Sequence, residues 1–261
     1  MMDSLFHKLI IEGKIVVYMD NILIFSKTME EHKNIVKEVL QILANNKLSL
    51  HSKKCQFHQT KIDYLGIIIS QDSVETSPTK VKGVADWPEP QNQKEVQQFL
   101  GFCNFYWRFI KGFAQIARQL TELTEKKKWL EEERGAFEKL KKRMMNIPTL
   151  AIPKPNKEFR MKVDASGYAV GGVLSQQQEN KSWKPIAYLS RSMNKTERNY
   201  EIYDQELLAI MTGLKQWRQY LMGSSQFEVW TDHKNLEFFR KPQKLNRHQA
   251  CWLSELQEYD F

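Results

Sequence analysis

The sequence predicts an α/β protein, on three patterns that follow one another along its 261 residues. The last hundred residues alternate runs of strand period with runs of helix period, the signature of helices layered on a sheet. Ahead of them lies a helical stretch dense in aromatic residues. At the start, two short β-branched runs flank a polar turn.

In chain order, Ile15-Val16-Val17-Tyr18 and Ile22-Leu23-Ile24-Phe25 predict a hairpin with Asp20-Asn21 at its tip. Residues 30–46 carry Ile35, Val36, Val39, Leu40 and Leu43 at helical spacing, with Asn45-Asn46 as the stop. Tyr64-Leu65-Gly66-Ile67-Ile68-Ile69 predicts one buried strand. Trp87-Pro88-Glu89-Pro90 stays extended, because each proline biases its predecessor away from the helix. Asn92 and Glu95 then have capping-box spacing at a helix start. Phe99, Phe102, Phe105, Tyr106, Trp107, Phe109 and Phe113 are too many for one helix face, which predicts a compact pair of helices and an aromatic core. The charged stretch 125–146, anchored by Trp129, Leu130, Phe137, Leu140 and Met144, predicts another helix that Ile147-Pro148 ends. Pro153-Lys154-Pro155-Asn156 reads as a linker and a domain boundary.

Phe159, Met161 and Val163 then predict a half-buried strand ending at Asp164. Two more strands follow over 169–175 and 185–190, with Gly171-Gly172 marking close backbone packing. Tyr203, Leu207, Met211, Leu214, Trp217 and Leu221 predict one long helix over 195–221. A fourth strand covers 227–230 and ends at Thr231-Asp232, and a last helix covers 247–259.

Composition bounds the function. A hydrophobic fraction of 41% with 11% aromatic residues argues for packed cores. The net charge of +8 attracts polyphosphates, so nucleic acid is the natural partner, although it also fits an ordinary basic protein. Cys55, Cys103 and Cys251 form no CxxC pair, which argues against a disulfide framework or a zinc site and for a reducing, intracellular compartment, cytoplasm or nucleus. No apolar run approaches the ~18 residues of a membrane span, and the amino terminus has no signal-peptide core. No membrane partner is expected.

Asp164 and Asp232 stand at the carboxyl ends of predicted strands, where open α/β sheets bind ligands, and Glu206 lies on the helix between them. Three converging carboxylates repel one another unless a cation joins them. Oxygen-only ligands suit Mg²⁺ or Mn²⁺, and two such ions ~3.5–4 Å apart can activate water for phosphodiester cleavage. Residue type and spacing leave plainer readings open: Asp164 caps a turn, Glu206 is a solvated helix residue, Asp232 caps the next helix. Asp20 at the hairpin tip invites the same metal reading, beside Asn21, a neutral and weaker ligand. Lys126-Lys127-Lys128, Lys139, Lys141, Lys142 and Arg143 either contact phosphates or form a solvated helix face.

The whole chain resembles the polymerase of gypsy-class LTR retrotransposons. Tyr18-Met19-Asp20-Asn21-Ile22-Leu23-Ile24-Phe25-Ser26 is similar to that family's YxDD-ILIFS palm hairpin. Cys55-Gln56-Phe57 with Tyr64-Leu65-Gly66 resembles its C-x-F…FLG segment. Trp87-Pro88-Glu89-Pro90, Phe99-Leu100-Gly101-Phe102 and Phe105-Tyr106-Trp107-Arg108-Phe109-Ile110 resemble its thumb and connection signature. Val163-Asp164-Ala165-Ser166, Tyr200 with Glu206-Leu207-Leu208-Ala209-Ile210, and Thr231-Asp232-His233-Lys234-Asn235-Leu236 are similar to its RNase H blocks.

The resemblance implies a palm remnant over 1–75, a helical thumb and connection over 76–150, and an RNase H-like mixed-sheet domain over 156–261. It gives Asp164, Glu206 and Asp232 the RNase H metal-binding roles, with two Mg²⁺ ions cutting the RNA of an RNA–DNA hybrid. It makes Asp20 one of the polymerase's metal-binding acids. Asn21 departs from the family's second Asp, and the pattern has a further palm acid before Ile15 and a fourth RNase H acid beyond Phe261. The expectation is that DNA synthesis is lost and that nuclease activity is weak at most or lost; the alternative is a non-catalytic remnant that binds nucleic acid.

Overall fold

In the computed structural model, residues 2–123, 131–222, 224, 227–231 and 247–261 are described. Two compact units divide the chain, Met1–Gln71 and Asp72–Phe261.

The first unit opens with two short helices, α1 (Met2–Leu5) and α2 (His7–Ile11), and a hairpin of β1 (Ile15–Tyr18) and β2 (Asn21–Ile24). Tyr18 pairs with Asn21, so the tip is Met19-Asp20, one residue earlier than the predicted Asp20-Asn21. The two-residue connection is made by Met19 at φ +53°, the positive φ that such a turn demands and that glycine usually supplies. Helix α3 (Met29–Asn45) follows, one residue out of register with the predicted span. Thr28 Oγ1 accepts from the Glu31 N–H, and Glu31 returns a bond to the Lys27 N–H, both at 3.2 Å. Its Ile35, Val39 and Leu43 close a core with Phe6, Leu9 and Ile15. The expected single strand around Gly66 is a hairpin instead, β3 (Lys61–Tyr64) against β4 (Ile67–Ser70). Leu65 and Gly66 both take positive φ, +57° and +82°, which reverses the chain in two residues.

The second unit begins with β5 (Ser73–Thr76), α4 (Pro78–Ala85) and α5 (Gln93–Phe105). Asn92 Oδ1 accepts from the Glu95 N–H at 3.0 Å, the predicted cap. After a 3₁₀ turn at Trp107–Phe109 come α6 (Phe113–Leu123), α7 (Glu131–Met145) and β6 (Leu150–Ala151), which pairs with β5. The aromatic residues mostly serve the core, as expected: Phe99, Tyr106, Phe109 and Phe113 are buried, and Phe99 meets Phe137 at 4.6 Å between ring centroids. Phe105 is the exception and stays exposed.

Strands β7 (Phe159–Ser166), β8 (Ala169–Gln177) and β9 (Trp183–Ser192) run antiparallel; a 3₁₀ turn (Glu197–Asn199), helices α8 (Ile202–Gln216) and α9 (Arg218–Leu221), strand β10 (Glu228–Trp230) and helix α10 (Arg247–Leu256) complete the unit. The sheet order is β10-β7-β8-β9, with β10 parallel to β7. The expected helix over 195–221 is thus three pieces. The Asn194 N–H donates to Glu197 Oε2 at 2.8 Å and the Glu197 N–H to Asn194 Oδ1 at 2.9 Å, a pair that caps only the 3₁₀ turn, and Glu201 is extended before α8 begins. The stretch read as a linker is tied down: Gln176, fully buried in β8, accepts from the Lys154 N–H at 2.8 Å and donates to the Lys154 carbonyl at 2.7 Å.

Helix α8 lies on one sheet face, packing Leu207, Met211, Leu214 and Trp217 against Met161, Val163, Val170 and Leu174. A β-carbon on Gly172 would stand 2.8 Å from Val163 Cγ1 and 2.9 Å from the Lys162 carbonyl oxygen. That oxygen belongs to the sheet and cannot yield. The Gly172→Ala variant is therefore expected to lose about 1–3 kcal/mol of stability, read as a lower urea midpoint; an unchanged midpoint would show that helix and sheet have slack.

Candidate functional site

Side chains alternate across β7. Phe159, Met161 and Val163 point into the core under α8, so Arg160, Lys162 and Asp164 point to the opposite, open face. Asp164 is exposed and, among the described residues, its carboxylate makes no hydrogen bond or ion pair. It lies two residues inside the strand rather than at its end, because β7 continues to Ser166. The turn after it is held by Ser166, whose hydroxyl donates to the Ala169 carbonyl at 3.0 Å, so Asp164 is not the turn's cap.

Glu206 sits in the early part of α8 and is only 4% exposed, so it is not a solvated helix residue. The Thr231 hydroxyl donates to its Oε2 at 3.3 Å. Thr231 directly follows β10, whose register ends with Trp230 opposite Lys162, two residues short of Asp164. Asp164 and Glu206 therefore start on opposite faces of the sheet and approach the same end of the β7–β10 seam. Asp232 lies outside the described residues, as do Trp129, Leu130 and Lys126-Lys127-Lys128. Among the described residues no three acids, imidazoles or thiols gather as a metal-ligand set. Oxygen donors from Asp164 and Glu206 suit a hard divalent cation.

Asp20 occupies the exposed turn of the β1–β2 hairpin, in the other unit, with Asn21 opening β2 beside it. On α7, Lys139, Lys142 and Arg143 are exposed, whereas Lys141 donates to the Trp87 carbonyl at 2.9 Å. On the open sheet face the Arg160 guanidinium lies 3.8 Å from the Trp183 ring centroid and 4.2 Å from that of Trp230. Its bond to Glu228 holds that carboxyl below the usual range.

Two contributors have no sequence signal of their own. Thr231 is visible only as the neighbour of Asp232. Gln249, on α10, is 6% exposed and donates through Nε2 to Asp204 Oδ1 at 2.7 Å; Asp204 is 4% exposed and stands two residues before Glu206. Tyr200 meets Trp252 edge-on nearby, and Arg218 bonds Glu258. Helix α10 thus fastens the start of α8.

Residues 154–259 match the family described as RNase H-like domain found in reverse transcriptase, and residues 1–69 match reverse transcriptase (RNA-dependent DNA polymerase). The chain is 37% identical over 256 residues to the transposon Tf2-7 and Tf2-8 polyproteins of Schizosaccharomyces pombe, a match that covers 96% of this chain. It spans 19% of the length of those relatives. Solved structures of the foamy viral protease-reverse transcriptase share the fold. The complex with dsDNA has a TM-score of 0.77 at 22% identity, over 98% of this chain and 54% of that one. The complex with RNA/DNA hybrid has a TM-score of 0.75 at 22% identity, over 98% and 36%.

Replacing Gln249 by Leu removes a buried bond to a carboxylate. Hydrogen bonds to charged groups contribute about 1.5–3 kcal/mol, so Gln249→Leu is expected to lower stability by that amount in chemical denaturation. Retained stability would mean that α10 does not secure α8 through this pair.

Proposed function

We propose, from the reverse transcriptase match over residues 1–69 and the RNase H-like match over 154–259, that this chain belongs with the reverse transcriptases of retrotransposons and that its working chemistry is that of the nuclease. The substrate is the RNA strand of an RNA–DNA hybrid, cut by phosphodiester hydrolysis. Both families generally use divalent metal ions; here Asp164, Glu206 and Asp232 would hold Mg²⁺ or Mn²⁺, two ions at a time. Such ions, when bound, make water a nucleophile and stabilise the leaving oxygen. The chain itself supplies charge and orientation. Asp164 has no partner among the described residues of the open face, and Glu206 is fixed before any ion arrives. The hydrogen bond from Thr231 to Glu206 carries the reading, since it ties the helix carboxylate to the residue next to Asp232, beside β7.

Segments 1–75, 76–150 and 156–261 serve as palm segment, thumb and connection, and RNase H-like domain. The palm hairpin retains Asp20 but offers the Asn21 carboxamide where a second acid belongs. A neutral oxygen neutralises none of a cation's charge, so we assign no DNA synthesis to this hairpin. Three free thiols suit a reducing, intracellular setting, and among the described residues no helix is long and apolar enough to cross a membrane. A second reading, a remnant that binds nucleic acid without cutting it, is favoured by the exposed basic row Lys139, Lys142 and Arg143 on α7.

Labelled hybrid incubated with the protein should lose its RNA strand only when Mg²⁺ or Mn²⁺ is present. Asp164→Asn and Glu206→Gln should each slow cutting by about 10²–10³-fold, the scale of losing one preorganised electrostatic group. Cutting that survives a chelator, or an Asp164→Asn rate equal to the parent's, rejects the nuclease reading. Hybrid bound tightly and never cut selects the second. Primer extension with labelled nucleotides should show no incorporation.

A further inference from the structure

We propose that Tyr168, Arg118 and Arg198 form a grip for the phosphodiester backbone of a nucleic-acid strand. Tyr168 occupies the two-residue turn between β7 and β8, four residues past Asp164, and is 56% exposed. Two guanidinium groups from separate elements converge on its ring. Arg118, on α6, lies 4.2 Å from the ring centroid, and Arg198, in the 3₁₀ turn before α8, lies 5.7 Å from it.

Each arginine commits one nitrogen to the protein. Arg118 Nε pairs with Glu122 at 2.6 Å, and Arg198 Nε donates to the Met193 carbonyl at 3.0 Å. The terminal nitrogens of both have no partner among the described residues. Like charges gathered at one exposed ring repel, and a surface cation–π contact offsets only part of that. Among the described residues Glu122 is the one carboxylate paired with either arginine, which leaves positive charge at the ring for an anion.

The arrangement is built rather than incidental. The Ala114 N–H donates to Ser190 Oγ at 2.8 Å, and Gln115 Nε2 donates to Ser166 Oγ at 3.0 Å, so the start of α6 is fastened to β9 and to the end of β7, beside the turn that carries Tyr168. Planar guanidinium forks match phosphate oxygens two at a time. Two forks reaching one ring from different elements suit successive phosphates of a strand, with a sugar or base laid on the tyrosine between them. A ligand held this way meets donors already in place, so little ordering is lost on binding. That the held strand is the one being cut rests on the nuclease reading; the grip as a binding surface does not.

The test is fluorescence anisotropy of labelled RNA–DNA hybrid against the intact chain in EDTA, where nothing is cut. The Arg118→Gln/Arg198→Gln double variant should raise Kd by about tenfold or more, and the slope of log K against log salt should shrink by ~0.9 for each phosphate that is no longer neutralised. Tyr168→Ala should weaken binding by about tenfold, the scale of one stacked ring, and Tyr168→Phe should bind like the parent. Arg118→Lys and Arg198→Lys, which keep the charge and spare the fold, should retain the salt slope while losing affinity. An unchanged Kd and salt slope in the double variant overturns the grip, as does a parent that binds no hybrid. Binding that depends on the two arginines in a protein that never cuts RNA leaves the grip standing and removes the nuclease reading.

Discussion

The candidate site depends on how closely α8 lies on β7 and β8. Two glycines permit that approach. A β-carbon on Gly213 would stand 2.7 Å from Met161 Sδ and 3.1 Å from Val163 Cγ1, and Gly172 is as tightly enclosed from the sheet side. Trp217, 2% exposed, fills the space beside both glycines. Glycine inside a helix costs about 1 kcal/mol relative to alanine, so its place in α8 makes sense only through the packing. Glu206 stands two turns upstream, ~10 Å along the axis at 1.5 Å per residue. At that distance, with α10 fastened to Asp204, the carboxylate is carried to the end of the sheet rather than into its middle. A looser helix would leave Glu206 in solvent, away from Thr231.

Periodicity and local caps made most of this legible in the sequence. The alternation of Phe159, Met161 and Val163, the 3–4 spacing along α8 and the Asn92–Glu95 cap are short-range signals, and each appears in the structure where its residues predict it. The departures come from turns that the usual residues do not announce. Leu65 adopts a positive φ that its side chain disfavours, so Tyr64–Ile69 reads as one strand and folds as two. Met19 does the same in the first hairpin and moves its tip by one residue. Asn194 and Glu197 have capping-box spacing, yet they cap a single 3₁₀ turn, because the chain is extended again at Glu201.

The site was legible by residue type and not by environment. Asp164 and Glu206 stand out as acids in motif-like surroundings, but nothing local says that one is bare and the other enclosed. The partners that decide it, Thr231 for Glu206 and Gln249 for Asp204, lie 25 and 45 residues away. A carboxylate as enclosed as Glu206 is costly to ionise without hydrogen bonds or a cation, so its burial is a stronger chemical statement than its presence. The hairpin at Asp20 differs in kind. Its acid is exposed with a carboxamide beside it, and no burial concentrates its charge.

The proposed nuclease site faces an electrostatic conflict, since acids that attract a metal also repel a polyanionic strand. The pleat of β7 answers it geometrically. Lys162 and Arg160 share the open face with Asp164 at steps of ~6.8 Å along the strand. Among the described residues neither forms an ion pair with the acid, yet Lys162 falls inside the ~8 Å over which charges are felt at physiological salt. Neither cation is loose: the Lys162 ammonium lies 4.4 Å from the Trp230 ring centroid, and Arg160 is held between two indoles and Glu228. Asp164 therefore stays unpaired and ready for a cation, while the face around it does not present bare negative charge to an approaching phosphate.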